Sequence, residues 1–198
     1  MSSGARDWQH IRDFLTDRGA RELAHPGGTL HEHLVRVADL LAAWGADIDL
    51  QAAGLCHACY GTDGYPHALL ALSDRPVLAD LIGTRAESLV YLYASCDRDV
   101  VYPALETAGP VSFRDRFTGQ ILTLSEAEVR PFIELTAANE LDVIRHNPAA
   151  AAQYGAALRR LFTCARPRLT DAARQAWDQQ PGTGRPATAE PAVPAADE

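Results

Sequence analysis

Imidazoles are concentrated in one stretch of the chain: five of the seven histidines lie between His25 and His67. Neutral imidazole is the commonest protein metal ligand and also the side chain that changes charge nearest neutral pH, so such a cluster can hold a cation or move protons. His33 falls on a run in which Leu30, Leu34, Val37, Leu41 and Trp44 recur at helical spacing, stopped by Gly45. His57 follows Leu50, Ala53 and Gly54 on a second, short helix from Asp49 to Tyr60. Small residues there let two backbones approach closely, which aims both rings at one helix–helix seam. Asn139, Asp142 and His146, spaced i, i+3, i+7, share one face of a long helix from Ser125 to Arg145 that a Ser125–Glu128 capping box opens. Asp142 can carry a carboxylate to the seam; its plainer role is a solvated pair with His146.

Other residues invite chemistry less directly. Cys56 and Cys59 form a C-x-x-C inside the His57 helix, without the strand before it that a thioredoxin site needs or the second pair that a zinc knuckle needs. Small core residues are the expectation for both. Tyr60-Gly61-Thr62-Asp63-Gly64 breaks the helix just past His57, so Tyr60 and Thr62 are candidates to orient substrate or exchange protons, with ordinary turn chemistry as the alternative. Arg75 and Glu87 interrupt the apolar stretch RPVLADLIGTRAESLVYLY; a buried ion pair is the plainer reading, a substrate-anion site the sharper one.

The elements that must position these groups are mostly helical. Further helices are expected from Asp7 to about Ala24, Arg75 to Ile82, Thr84 to about Ser95 and Ala149 to about Cys164. The alternation in VSFRDRFTGQILTL, residues 111–124 around Thr118-Gly119, predicts one small β-hairpin. The fold class expected is all-α with that hairpin, one domain over residues 1–179. Residues 180–198, with four prolines and Val193 as the only large aliphatic, read as a disordered Pro/Ala-rich tail.

Composition removes several function classes. The 18 basic residues are all arginine, so no lysine is present to form a Schiff base. They face 26 acidic residues, a net charge of −8 that repels nucleic acid. No apolar run is long enough to span a membrane, and the first fifteen residues lack a signal-peptide pattern. Four cysteines are too few for a disulfide scaffold, so a cytoplasmic setting is expected. The expected partner is a small-molecule substrate, with a homodimer left open.

The segment HEHLVRVADLLAAWGADIDLQAAGLCHACYG resembles the first half of HD-domain proteins, a helical superfamily of metal-dependent phosphohydrolases with some diiron oxygenases. His33 matches the first ligand and His57, in AGLCHA, the doublet histidine. His25 takes the place of a histidine that several of those families carry about eight residues earlier, and LTAANELDVI is similar to their last-aspartate helix. The resemblance covers roughly residues 23–60 and 133–144, and implies an HD-like bundle. Two carboxylates depart from the pattern: Ala58 replaces the doublet aspartate and Asn139 the late one. What the resemblance then implies is one divalent metal (Fe, Mn or Zn) held by His25, His33 and His57, with Asp142 or water completing the shell. That metal would activate water for hydrolysis or bind O₂ for oxidation. His57, Tyr60, Thr62 and Asp142 are the expected catalytic groups, and Arg75, Glu87 and Asn139 the substrate-binding ones. The alternative is a metal-free domain acting by acid–base chemistry or as a ligand- or partner-binding module.

Overall fold

The structure, a computed structural model, describes residues 6–107 and 109–180. The tail expected from residue 180 lies outside them except for Gln180, which is buried. Among the described residues there are nine α-helices and two antiparallel two-stranded hairpins, the all-α class with the small hairpin expected at 111–124. None of these helices is long and apolar enough to cross a membrane.

Helix α1 (Trp8–Asp17) starts where Asp7 accepts from the His10 N–H, and buries Ile11 and Leu15. It stops seven residues short of the expected Ala24, because Gly19 takes a positive φ of 83° and turns the chain. A hairpin that the periodicity does not show follows, β1 (Ala24–His25) paired with β2 (Gly28–Thr29). It hands the chain directly to α2 (Leu30–Ala43). There Thr29 Oγ1 accepts from the Glu32 N–H at 3.3 Å while Glu32 accepts from the Thr29 N–H at 2.7 Å. Helix α3 (Ile48–Cys56) is capped by Asp47 and ends four residues earlier than expected, leaving His57 as its C-cap.

Helices α4 (Arg75–Ile82) and α5 (Thr84–Ser95) are split by Gly83 as expected. A further helix, α6 (Arg98–Leu105), was not legible beforehand. Hairpin β3 (Val111–Arg114) and β4 (Ile121–Leu124) pairs Val111 with Leu124. Three helices complete the body: α7 (Glu126–His146), α8 (Pro148–Cys164) and α9 (Asp171–Asp178).

Helix α7 is the axis of the molecule. Every residue from Phe132 to Asp142 is buried, polar ones included. Such a helix is stable only if its polar groups find partners. Glu134 accepts from both the backbone and the hydroxyl of Thr170, and the Trp177 indole donates to the Ala137 carbonyl, which docks α9. Helix α2 packs against α3 and α7, and α3 also meets α5 and α7. Three helices therefore converge on the seam where the histidines lie. Gly54 is what brings α2 and α3 together: a Cβ there would sit 2.5 Å from Leu41 Cδ1 and 3.6 Å from the Ala38 Cα.

Candidate functional site

His33, one turn into α2, projects towards α7. Its Nδ1 lies 2.7 Å from Asp142 Oδ2, and its Nε2 lies 3.1 Å from Asn139 Oδ1 and 3.3 Å from His57 Nε2. Asn139 and Asp142 are three residues apart on α7, so one helical turn presents an amide to one edge of the ring and a carboxylate to the other. His33 and His57 are almost wholly buried, 1% and 2% exposed, at the floor of a cleft of about 650 Å³.

The chemical state of each group follows from what it touches. Arg36, one turn beyond His33, forks onto Asp142 through Nε at 2.7 Å and Nη2 at 2.9 Å. Burial would raise the Asp142 pKa, but the hydrogen bonds from His33 and Arg36 bring it down to about 2. Asp142 is thus a carboxylate, able only to accept, and His33 Nδ1 carries the proton between them. His57 Nδ1 is 2.8 Å from the Gly54 carbonyl, one of the helix-end carbonyls that has no amide partner, so it too must donate. Burial, followed by the charge of nearby His33, lowers the His57 pKa to about 3, which leaves its Nε2 bare. The orientation of Asn139 is fixed as well: its Nδ2 lies 3.3 Å from Glu140 Oε1, so its Oδ1 faces His33. Two acceptors, His57 Nε2 and Asn139 Oδ1, therefore converge on His33 Nε2, and the 3.1 Å contact with Asn139 is a hydrogen bond when His33 Nε2 carries a proton.

His25 reaches the site from the β1–β2 hairpin. Its ring stacks on His33 with centroids 3.9 Å apart, and burial together with His33 lowers its pKa to about 4. Its buried Nδ1 has no hydrogen-bond partner among the described residues. The hairpin is tied down by Arg36, which donates to the Pro26 and Gly27 carbonyls. His146 packs under its tip: a Cβ on Gly27 would fall 2.7 Å from His146 Cγ.

The four expected metal ligands do not face one centre. Asp142 meets His33 on Nδ1, the nitrogen opposite the one that points at His57, and His25 lies over the face of the His33 ring rather than beside Nε2. Among the described residues no three His, Cys, Asp or Glu side chains are disposed to hold a metal ion. The donor set does not fit the expected shell; Asp142 instead orients His33.

Three other expected residues lie elsewhere. Arg75 grips Glu87 at 2.6 and 2.9 Å and stacks over Tyr91, and the Tyr60 hydroxyl donates to the same carboxylate at 3.0 Å. None of Tyr60, Arg75 and Glu87 lines the cleft; an ion pair between buried Glu87 and half-buried Arg75 is the role the structure gives this group, and Tyr60 belongs to it. Thr62 does line the cleft, beyond His57. Cys56 and Cys59 are buried free thiols, and contact with Cys59 together with burial holds the Cys56 thiol up. They are core residues.

Residues that the sequence did not single out complete the site. Arg36 is spaced i+3 from His33, a signal that was available. Helix α6 closes the cleft with Arg98 and Tyr102, which converge on Glu140: Arg98 Nη1 pairs with it at 3.1 Å and the Tyr102 hydroxyl donates at 3.0 Å. Arg98 also donates to the Tyr93 hydroxyl, and Tyr93 stands edge-on to His57.

A family model described as a domain of unknown function (DUF6817) matches residues 14–98. That segment carries His25, His33, Arg36 and His57 but stops before Asn139 and Asp142. No curated protein and no solved structure matches the chain.

Proposed function

We propose that the protein is a small-molecule enzyme working by acid–base chemistry, with His33 as the group that moves the proton. The observation that carries this reading is the 2.7 Å bond between His33 Nδ1 and ionised Asp142, with His33 Nε2 at the floor of the cleft. Asp142 holds a proton on Nδ1, so Nε2 is the nitrogen that exchanges a proton with the cleft, and the carboxylate stabilises the ring while it is imidazolium. Arg36 keeps Asp142 from taking that proton itself. His57 Nε2 and Asn139 Oδ1, both acceptors, steer a water or substrate hydroxyl towards His33. The cleft volume suits a small molecule. The resemblance of AGLCHA and its surroundings to HD-domain proteins supports an enzyme rather than a binding module. The metal those proteins use is no part of the proposal, because the donors here are two imidazoles and a neutral amide.

The test is a turnover screen against small esters, lactones, amides and hydroxy compounds, with His33→Gln and Asp142→Asn assayed in parallel. An activity lost in His33→Gln and lowered about 100-fold or more in Asp142→Asn is expected. Activity that survives His33→Gln would overturn the reading. So would a stoichiometric divalent metal, found by elemental analysis, that His33→Gln releases.

A further inference from the structure

Asn139 and Glu140 are neighbours on α7, turned about 100° apart around the helix axis, so that one reaches His33 on α2 and the other reaches α6. Yet the two side chains meet, because Asn139 Nδ2 donates to Glu140 Oε1 at 3.3 Å. The same oxygen accepts from the Tyr102 hydroxyl at 3.0 Å and pairs with Arg98 Nη1 at 3.1 Å. Arg98 is itself held from two further sides. Its backbone N–H donates to Asp63 Oδ2 at 2.9 Å, in the turn just past His57, and its Nη2 donates to the Tyr93 hydroxyl at 3.0 Å. Glu140 is buried, so its carboxylate has little room to swing away. An Asn139 amide reversed by half a turn would press its oxygen on this carboxylate and offer its nitrogen to His33. Burial makes such a mismatch costly.

We infer that Glu140, fixed by Arg98 and Tyr102 of α6, is a positioning residue of the site: it presents the oxygen of the Asn139 amide, rather than its nitrogen, to His33 Nε2. The ring nitrogens of His33 meet Asp142, Asn139 and His57, and none of these three residues, so the effect reaches His33 through a single amide. Helix α7 thus sets the ring from both edges. Asp142 governs Nδ1 directly, and Glu140 governs at one remove what Nε2 meets. A supporting group of this kind holds a site to its geometry without taking part in the chemistry. It also gives α6 a task beyond walling the cleft. The inference rests on the acid–base reading for making Nε2 the working nitrogen, but the orientation it describes can be measured without a substrate.

The test is NMR of the histidine ring nitrogens, on the full chain without ligand and at one fixed pH. Asn139→Leu defines how far the His33 Nε2 signal moves when the amide is gone. Glu140→Met, which removes the acceptor at similar length, is expected to move the same signal. Glu140→Gln, whose side-chain oxygen can take the place of Oε1, should keep it near its native position. Adding Glu140→Met to Asn139→Leu should move it no further, because the effect runs through the amide. Glu140→Met leaves Arg98 without its carboxylate; Arg98→Met/Glu140→Met removes both charges together and serves if the single variant unfolds. A His33 Nε2 signal that stays in place in either folded variant overturns the inference, as does a further shift in the Asn139→Leu background. Loss of the fold in both the single and the paired variant overturns it too, by making the pair a structural tie. The acid–base reading is decided separately, by turnover in His33→Gln.

Discussion

At the scale of single residues the site depends on Asp142 more than on any histidine. Its carboxylate is 2% exposed and accepts from His33 and twice from Arg36, with His146 Nδ1 a further 3.2 Å away. Removing it leaves a guanidinium and an imidazole N–H without their acceptor in a buried place. Breaking a buried pair from one side costs about 3–5 kcal/mol, well above the value of an exposed pair. Asp142→Ala is therefore expected to lower unfolding free energy by about that amount in urea denaturation. Asp142→Asn, which keeps the volume and one acceptor, should lose activity far more than stability. If Asp142→Ala proves neutral, the Arg36–Asp142–His33 chain is not what holds α2 to α7 at this point. The seam of His33 and His57 was legible from spacing, and so was the face of α7 that carries Asn139 and Asp142. Periodicity assigns a face but not the edge of a ring. Whether Asp142 would meet Nε2, as a shared ligand, or Nδ1, as an orienting carboxylate, depends on the axial offset of two helices that are about a hundred residues apart.

At the scale of elements, α2 and α3 must lie close enough for the two imidazoles to approach to 3.3 Å. Gly54 sets that approach and also supplies the carbonyl that His57 Nδ1 needs. In Gly54→Ala the new Cβ would press on the Cδ1 end of Leu41, which is fully buried and would have to shift within the core. Overpacking of this kind costs about 1–3 kcal/mol. The expected outcome is a destabilised but folded protein in which the helices part and the His33–His57 contact lengthens, so activity falls together with thermal stability. Unchanged stability would mean that α3 has slack in its packing. Strong apolar periodicity made α2, α4, α5, α7 and α8 readable beforehand. Helix α6 was not, because Arg98, Asp99 and Pro103 interleave with β-branched Val100 and Val101, a poor helical signal that only packing rescues. Helix α9 is eight residues long and owes its place to Trp177. The β1–β2 hairpin has two residues per strand, too few for any alternation to show, yet it carries His25.

At the scale of the whole molecule, burying imidazoles in their neutral form ties stability to pH. His57, fully enclosed, has its pKa lowered from 6.5 to about 3, and His25 has its own lowered to about 4. Above pH 6.5 both rings are neutral whether the chain is folded or not, so their burial carries no proton cost there. Below that, the unfolded chain binds protons that the folded one refuses, and stability drops until the folded rings protonate in turn. One such group removes about 1.4 kcal/mol per pH unit, and His57 does so from about pH 6.5 downwards. The partly solvated His25 adds a smaller share. Asp142 acts in the same direction lower down: its stabilisation is complete above its ordinary value of 3.8 and is lost as the pH falls towards about 2. Glu134 opposes them, because burial holds its carboxyl above the usual range, so the folded state takes up its proton first. In the unfolded chain the histidines titrate nearer neutrality than any carboxylate, so they decide the behaviour just below it. Urea unfolding at a series of pH values should show full stability at and above about pH 7 and a decline of at least about 1.4 kcal/mol per unit below about pH 6. His57→Gln should start from a lower plateau and decline more gently, by close to one proton's worth. A stability that stays flat from about pH 7 to pH 5 would show that both rings can take a proton inside the fold, and that the floor of the cleft is wetter than its burial implies.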